Sequence, residues 1–118
     1  MSTQDIARDL VSLCKQGKFA EAGEKYWADN VLSVEPIGDN PELRGKAAVR
    51  GKGEWWANSF TVHSVGVEGP YVNGEQFVVR FKMDVTEKAS GKRQNMDEVG
   101  LYTIRGGKIA EERFFYGG

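Results

Sequence analysis

Apolar residues occupy every second position from Phe77 to Val85, with mostly charged residues between them. This period of two is typical of a β-strand that has one buried and one solvent-facing side. The Asn73-Gly74 pair that precedes the strand is a strong signal for a tight hairpin. We therefore expect a long strand that pairs antiparallel with the segment before it, in a fold that buries one face of this strand.

Three further segments in the same half of the chain are predicted strands. Thr61–Val72 lies before the Asn-Gly pair, and Gln94–Arg105 and Lys108–Tyr116 follow the central strand. Glycine-containing turns separate the later strands, at Ala89–Lys92 and at Gly106-Gly107. The second half of the chain is thus predicted to form four long antiparallel strands in a meander.

The beginning of the chain has helical periodicity instead. Ser2, followed by Asp5, is a start similar to a capping box for a helix that ends at Gly17. The helical spacing of apolar residues resumes at Phe19 and predicts a second helix that stops at Asp29-Asn30. Both helices therefore come before the first predicted strand.

A short strand and a third helix complete the first half. Val31–Glu35 is a strand that Pro36 ends, and turn-forming residues follow from Gly38 to Glu42. A third helix is predicted from Lys46 to Ser59. Helices that are segregated from a meandering sheet define an α+β domain, and a long twisted sheet curls. We therefore predict a cone-shaped α+β barrel, in which three helices close a curved antiparallel sheet around an apolar interior.

Composition narrows the classes of partner and cofactor. The 118 residues are the usual size of one domain, so we expect a single domain over residues 1–118. Its 16 Lys and Arg residues nearly balance 17 Asp and Glu residues, which argues against a nucleic acid or an anionic membrane as partner. The polar N-terminal residues are unlike a secretion signal. With one cysteine and one histidine, we expect a cytoplasmic protein without a disulfide, a metal or an organic cofactor.

Five short segments occur in an order and spacing that are found together in one protein superfamily. They are Gln16–Phe19, Tyr26–Val31, Val34–Pro36, Arg44–Val49 and Gly106–Phe114. Through them the chain resembles, over nearly its whole length, the nuclear-transport-factor-2-like superfamily in its SnoaL-like and ketosteroid-isomerase-like branch. The resemblance implies the cone-shaped fold. It implies no single activity, because this superfamily contains isomerases, cyclases, dehydratases and binding proteins that are not enzymes.

The resemblance also points to one catalytic position. In ketosteroid isomerases the general base is an aspartate directly before a proline on the first short strand. Glu35, which precedes Pro36, is similar to that position, so the resemblance implies a catalytic carboxylate there. The tyrosine and the aspartate that bind the oxyanion in that family correspond to Leu10 and to Val99-Gly100, which offer no equivalent side-chain donor. The base position is therefore kept, and both electrophile positions are replaced.

Three more ionisable residues are candidates for catalysis in the interior. His63 falls on the same predicted strand face as two valines, where it would carry a proton or donate a hydrogen bond. Asp97 and Glu98 point to opposite faces of one strand; alternation favours Glu98 as the inward residue, and the hairpin register leaves Asp97 as the alternative. Between Glu111 and Glu112, alternation favours Glu112. Carboxylates that share an apolar site raise each other's pKa, which acid–base catalysis uses.

Bulky side chains are expected to line a pocket in the cone. The predicted ligand-binding residues are Trp27, Trp56, Phe81, Met83, Tyr102, Phe114 and Tyr116. We expect a small apolar ligand and proton-transfer chemistry of the isomerase, cyclase or dehydratase type. A ligand-binding protein without turnover and a dimeric association module are the alternatives. The outer face of the Val78–Thr86 strand is expected to form a homodimer around a two-fold axis.

Overall fold

The computed structural model describes residues 1–117, which form three helices and one six-stranded sheet. The helices are α1 (Thr3–Lys15), α2 (Phe19–Tyr26) and α3 (Lys46–Ser59). The strands are β1 (Trp27–Val34), β2 (Glu42–Arg44), β3 (Phe60–Asn73), β4 (Gln76–Glu87), β5 (Arg93–Arg105) and β6 (Lys108–Phe115). The sheet is curved and unclosed, with the strand order β2-β1-β6-β5-β4-β3. The predicted α+β class is confirmed.

Local sequence signals explain several of the element boundaries. The Ser2 hydroxyl accepts a hydrogen bond from the Asp5 N–H at 3.1 Å, and the Asp5 carboxylate accepts one from the Ser2 N–H at 3.2 Å. This capping box satisfies N–H groups that have no partner within α1. The bounds of α3 are those predicted from the sequence, and β3 to β6 form the predicted meander of antiparallel strands.

Three expectations about the first half were wrong in detail. Helix α2 ends at Tyr26, and β1 starts at Trp27 rather than at Val31, because Trp27 already pairs with Ile109 of β6. The turn predicted over Gly38–Glu42 ends one residue early, because Glu42 already belongs to the edge strand β2, which was not predicted. The sheet is mixed rather than wholly antiparallel, since β1 runs parallel to β6. That parallel pairing brings the end of β1 beside the centre of β6.

The helices cover one side of the sheet, which we call the inner face; the opposite side is the outer face. Helix α1 packs on β3 and β4 and buries Ile6, Leu10 and Val11 against apolar residues of the inner face, among them Val79 and Val85. Helix α3 packs on β1 and β3. None of the helices in residues 1–117 is long and apolar enough to cross a membrane.

Candidate functional site

Glu35 lies where β1 ends, and the backbone holds it there. Its N–H donates a hydrogen bond of 2.7 Å to the Pro41 carbonyl, which closes the loop between them. The residue before a proline favours an extended backbone, so Pro36 helps to set the direction of the Glu35 side chain. That side chain is 24% exposed. Glu35 therefore stands at the edge of the covered interior rather than on the open surface.

Glu112 of β6 lies deeper and has both carboxylate oxygens occupied. Its Oε1 accepts a hydrogen bond from Trp27 Nε1 at 2.7 Å, and its Oε2 accepts one from the Ser33 hydroxyl at 2.8 Å. Ser33 and Glu112 are direct partners in the parallel β1–β6 pairing. Burial raises the pKa of Glu112, and the two hydrogen bonds oppose that rise by favouring the ionised form. Glu112 is thus a buried carboxylate whose orientation is fixed by one hydrogen bond at each oxygen.

Lys52 of α3 bonds to Glu35 and, through the Ser33 hydroxyl, is linked to Glu112. Its Nζ donates to the Ser33 hydroxyl at 2.5 Å and to Glu35 Oε1 at 3.2 Å, and lies 5.3 Å from the centre of the Phe114 ring. The sequence analysis missed this residue. The signal was available: Lys52 lies three residues after the buried Val49 and therefore on the covered face of α3. Ser33 was not predicted either, although it lies two residues before Glu35 and therefore on the same inward side of the chain.

Glu98 of β5 is the fourth charged member of the group. It faces inward opposite the buried Phe81, whereas Asp97 faces outward and pairs with Arg80 at 2.7 Å. Burial raises the pKa of Glu98 to about 7; the charge of Glu35 adds to this rise, and Lys52 opposes it. Glu98 is therefore close to half protonated near neutral pH. We call Glu35, Lys52, Glu98 and Glu112, with Ser33, the acidic cluster.

One oxygen of the cluster has no protein partner. Glu35 Oε2 is buried, and no group within the described residues completes a hydrogen bond to it. Burial raises the pKa of the Tyr116 phenol to about 12, and the charges of Glu35 and Glu98 and the closeness of the Glu35 carboxylate as an acceptor add to the rise, so the phenol stays neutral. The phenol lies near Glu35 without completing a hydrogen bond of normal geometry to Oε2. A buried acceptor without a donor is unfavourable. Glu35 Oε2 is therefore placed to accept a proton or a hydrogen bond from a bound molecule.

The predicted ligand-binding aromatics fall into two sets. Trp27, Tyr102, Phe114 and Tyr116 surround the acidic cluster; Tyr102 and Phe114 meet edge to face at 6.2 Å, and Tyr102 pairs with Glu112 in the register. Trp56, Phe81 and Met83 pack elsewhere in the core. Trp56 stacks on Phe60, and Phe81 meets Phe19 edge to face. Of these three, Phe81 is also the pairing partner of Glu98 on the neighbouring strand.

The structure does not bring His63 to the cluster. The register of β3 against β4 shifts between Val62 and Ser64, and this bulge reverses the predicted alternation. His63 is exposed, and its Nε2 lies 2.7 Å from the Thr86 hydroxyl on the outer face. The expectation that His63 faces the interior was wrong, and the cluster is built from carboxylates and one lysine.

Two surface pockets lie outside the acidic cluster. One of about 560 Å³ crosses β3, β4 and β5 beside Gly66, Lys82 and Asn95, and one of about 250 Å³ lies beside Arg44 and Thr103. Met83 is the one predicted ligand-binding residue on either wall. The aromatic-lined pocket expected around the carboxylates therefore stays a prediction. Within residues 1–117, no three His, Cys, Asp or Glu side chains are placed to hold a metal ion.

Comparison with known proteins identifies the family. The SnoaL-like domain family matches residues 1–116. A crystal structure of a proposed SnoaL-like polyketide cyclase from Mesorhizobium loti is 54% identical, with a TM-score of 0.95, and the match covers 98% of this chain and 100% of that one. No curated protein matches the sequence significantly.

More distant structures share the fold. A proposed isomerase from Bacillus subtilis has a TM-score of 0.80 at 16% identity, over 99% of this chain and 90% of that one. TerC, co-crystallised with polyporic acid, has a TM-score of 0.76 at 15% identity, over 98% and 91% of the two chains. These two likenesses show the shared architecture alone. The family match over nearly the full length and the M. loti relative show that this chain belongs to the SnoaL-like domain family.

Proposed function

We propose that this protein catalyses proton transfer on a small, largely apolar molecule, with Glu35 as the general base and Glu98 as the general acid. The observation that carries the proposal is the free, buried Oε2 of Glu35 beside a second carboxyl group whose pKa is about 7. Two carboxylates in different environments divide the roles of base and acid. Lys52 Nζ forms an ion pair with Glu35 Oε1 at 3.2 Å, and Glu98, whose raised pKa favours the neutral form, has a proton to donate.

The surroundings of the cluster favour a carbon acid as substrate. Aromatic rings line the site, and an apolar molecule gains from contact with them. When a proton is removed from a carbon next to a carbonyl group, the electron pair of the C–H bond stays with the substrate. Isomerisation, dehydration or aldol-type cyclisation follows, according to where that electron pair moves. The TerC structure with polyporic acid supports a small organic ligand for this chain as well.

The test is deuterium exchange at carbon in apolar ketones, followed by NMR in D₂O with 2-tetralone as the first probe. Wild-type protein should accelerate exchange, and Glu35→Gln should lose at least about a hundredfold of that acceleration, the lower range for general-base catalysis. Glu54→Gln, an exposed change on α3, is the control. Binding without exchange across a ketone panel would favour the ligand-binding alternative, and the absence of binding would favour the association module.

We also propose a homodimer that forms through the outer face of the sheet. Arg80 and Lys82 of the predicted interface strand are engaged within the chain, with Asp97 and Glu68. Beside these charges lies an outer apolar patch, which spans four strands and consists of Tyr71, Val78, Val99, Leu101 and Phe115. Tyr71 is 65% exposed and Phe115 49%. Burial of this patch against a second copy would remove apolar surface from water.

Sedimentation equilibrium tests the dimer directly. Wild-type protein should sediment as a dimer at micromolar concentration, and Leu101→Glu should shift it to monomer because a charge would lie at the centre of the patch. Thr61→Glu, an exposed change elsewhere on β3, is the control and should stay dimeric. A wild-type monomer would contradict the proposal.

A further inference from the structure

Within residues 1–117, Lys52 is the one cationic side chain that bonds to other members of the acidic cluster, namely Glu35 and Ser33. Its side chain is 22% exposed, so it is largely removed from water. An ammonium group carries three N–H donors. Two of them are used, on the Ser33 hydroxyl and on Glu35 Oε1, while the ammonium as a whole lies over the face of Phe114. The third donor therefore has no oxygen partner among the described residues, and its neighbour is the Phe114 ring, whose centre lies 5.3 Å from Nζ.

We infer that Lys52 is the electrophilic residue of this site: its third N–H binds the substrate oxygen on which negative charge develops when Glu35 removes a proton from carbon. The inference rests on the proposed function and adds a catalytic residue to it. A ligand oxygen is a stronger partner for an ammonium than a phenyl face is. The same ammonium contacts Glu35, so in this scheme one group would bind both the general base and the substrate oxygen that becomes negative.

The chemistry balances without a further reactant. Glu35 Oε2 takes the proton from carbon, the C–H bond pair becomes the new C=C bond, and the C=O π pair moves onto oxygen beside Lys52. Protonated Glu98, or Glu35 itself, then returns a proton to a different carbon or to the departing oxygen. A fixed cation beside the oxygen that gains charge stabilises the transition state more than the ground state, because that charge is larger in the transition state.

Two other donors near the site are committed to Glu112, whereas the neutral Tyr116 phenol beside Glu35 is a second candidate donor to the ligand. The Trp27 N–H and the Ser33 hydroxyl both donate to Glu112, and they are positioning groups in this scheme. Ser33 accepts from Lys52 while it donates to Glu112, so the buried carboxylate orients the hydroxyl and the hydroxyl orients the ammonium. At the positions that correspond to the oxyanion donors of ketosteroid isomerases, Leu10 is buried in the core and Gly100 has no side chain.

The proposed test uses 2-naphthol, an apolar phenol whose ionised form mimics an enolate and has its own absorbance and fluorescence. Wild-type protein should bind it and shift its ionisation toward the naphtholate by about tenfold or more, the effect of one charge-assisted hydrogen bond. Lys52→Met should abolish that shift, and Lys52→Arg should retain part of it because the charge remains. Lys82→Met, on the outer face, should behave as wild type.

A second probe separates this inference from the proposed function. 2-Methoxynaphthalene has the same rings but no ionisable hydrogen, so Lys52→Met should bind it as well as wild type does, provided that circular dichroism shows a folded variant. Equal ionisation of bound naphthol in wild type and both Lys52 variants would overturn the role of Lys52, while ketone exchange still decides the role of Glu35. Failure of wild-type protein to bind either naphthalene would contradict the inference and the apolar site together.

Discussion

Lys52 Nζ lies 3.2 Å from Glu35 Oε1 and so connects the middle of helix α3 to the end of strand β1. The side chain of each residue is about three-quarters buried. Partial burial strengthens such an attraction over that of an exposed pair, although removal of either charge would leave the other poorly solvated. This contact links the proposed base to the proposed electrophile, and the charges of both influence the pKa of Glu98.

We expect Glu98→Gln to stabilise the protein at pH 8 and to have little effect at pH 4. Burial raises the pKa of Glu98 from 4.5 to about 7 in the folded state. The folded protein therefore binds this proton more tightly, and the resulting stability is present below pH 4.5 and is lost as the pH rises through about 7. The gain at pH 8 should be about 2 kcal/mol, from ~1.4 kcal/mol per pH unit and incomplete burial. Urea unfolding at both pH values measures it, and an equal gain at both would contradict the raised pKa.

Lys52→Met should raise the pKa of Glu98 further. Lys52 is the cation that lowers this pKa, whereas Glu35 and Glu112 raise it. An NMR titration of the Glu98 carboxyl carbon gives the midpoint in each variant. Lys82→Met on the outer face should leave that midpoint unchanged. A midpoint that falls or does not move in Lys52→Met would show that the charge of Lys52 does not lower the pKa of Glu98.

Gly23→Ala should destabilise the protein by about 2 kcal/mol, because overpacked positions typically lose 1–3 kcal/mol. A Cβ atom on Gly23 would overlap the Trp27 indole ring, whose N–H donates to Glu112. Thermal unfolding measures the stability, and tryptophan fluorescence reports the displaced ring. Gly53→Ala is the matched helical control: its Cβ meets no atom within 4 Å, so a gain of up to about 1 kcal/mol is expected. Equal effects of the two changes would argue against the Trp27 contact.

His63→Ala should change neither naphthol binding nor ketone exchange. Its ring is exposed and bonds to Thr86 on the outer face, so its loss should alter the free energy of unfolding by less than about 0.5 kcal/mol. The same assays run on Glu35→Gln supply the contrast. A loss of exchange in His63→Ala would show that the outer face contributes to the reaction.

The inward positions of Glu98 and Glu112 were predictable from the sequence. Strand side chains alternate with a period of two, and the apolar neighbours of each glutamate mark the buried side. The same periodicity failed for His63, since a single bulge reverses the faces of every residue beyond it, and no residue pattern at positions 62–64 marks that bulge. The bounds of α3 were predictable because its ends and its spacing are local properties.

The sequence alone determined the α+β class, the capped first helix, the long strand meander and the faces of most strand residues, because propensity, periodicity and turn chemistry act over a few neighbouring positions. The tertiary structure alone decided that β1 pairs parallel with β6 and that α3 crosses the end of β1. Those two arrangements bring Ser33 to Glu112 and Lys52 to Glu35. Residues 79 and 17 positions apart in the chain meet there because the whole sheet curls beneath the helices, which no local pattern specifies.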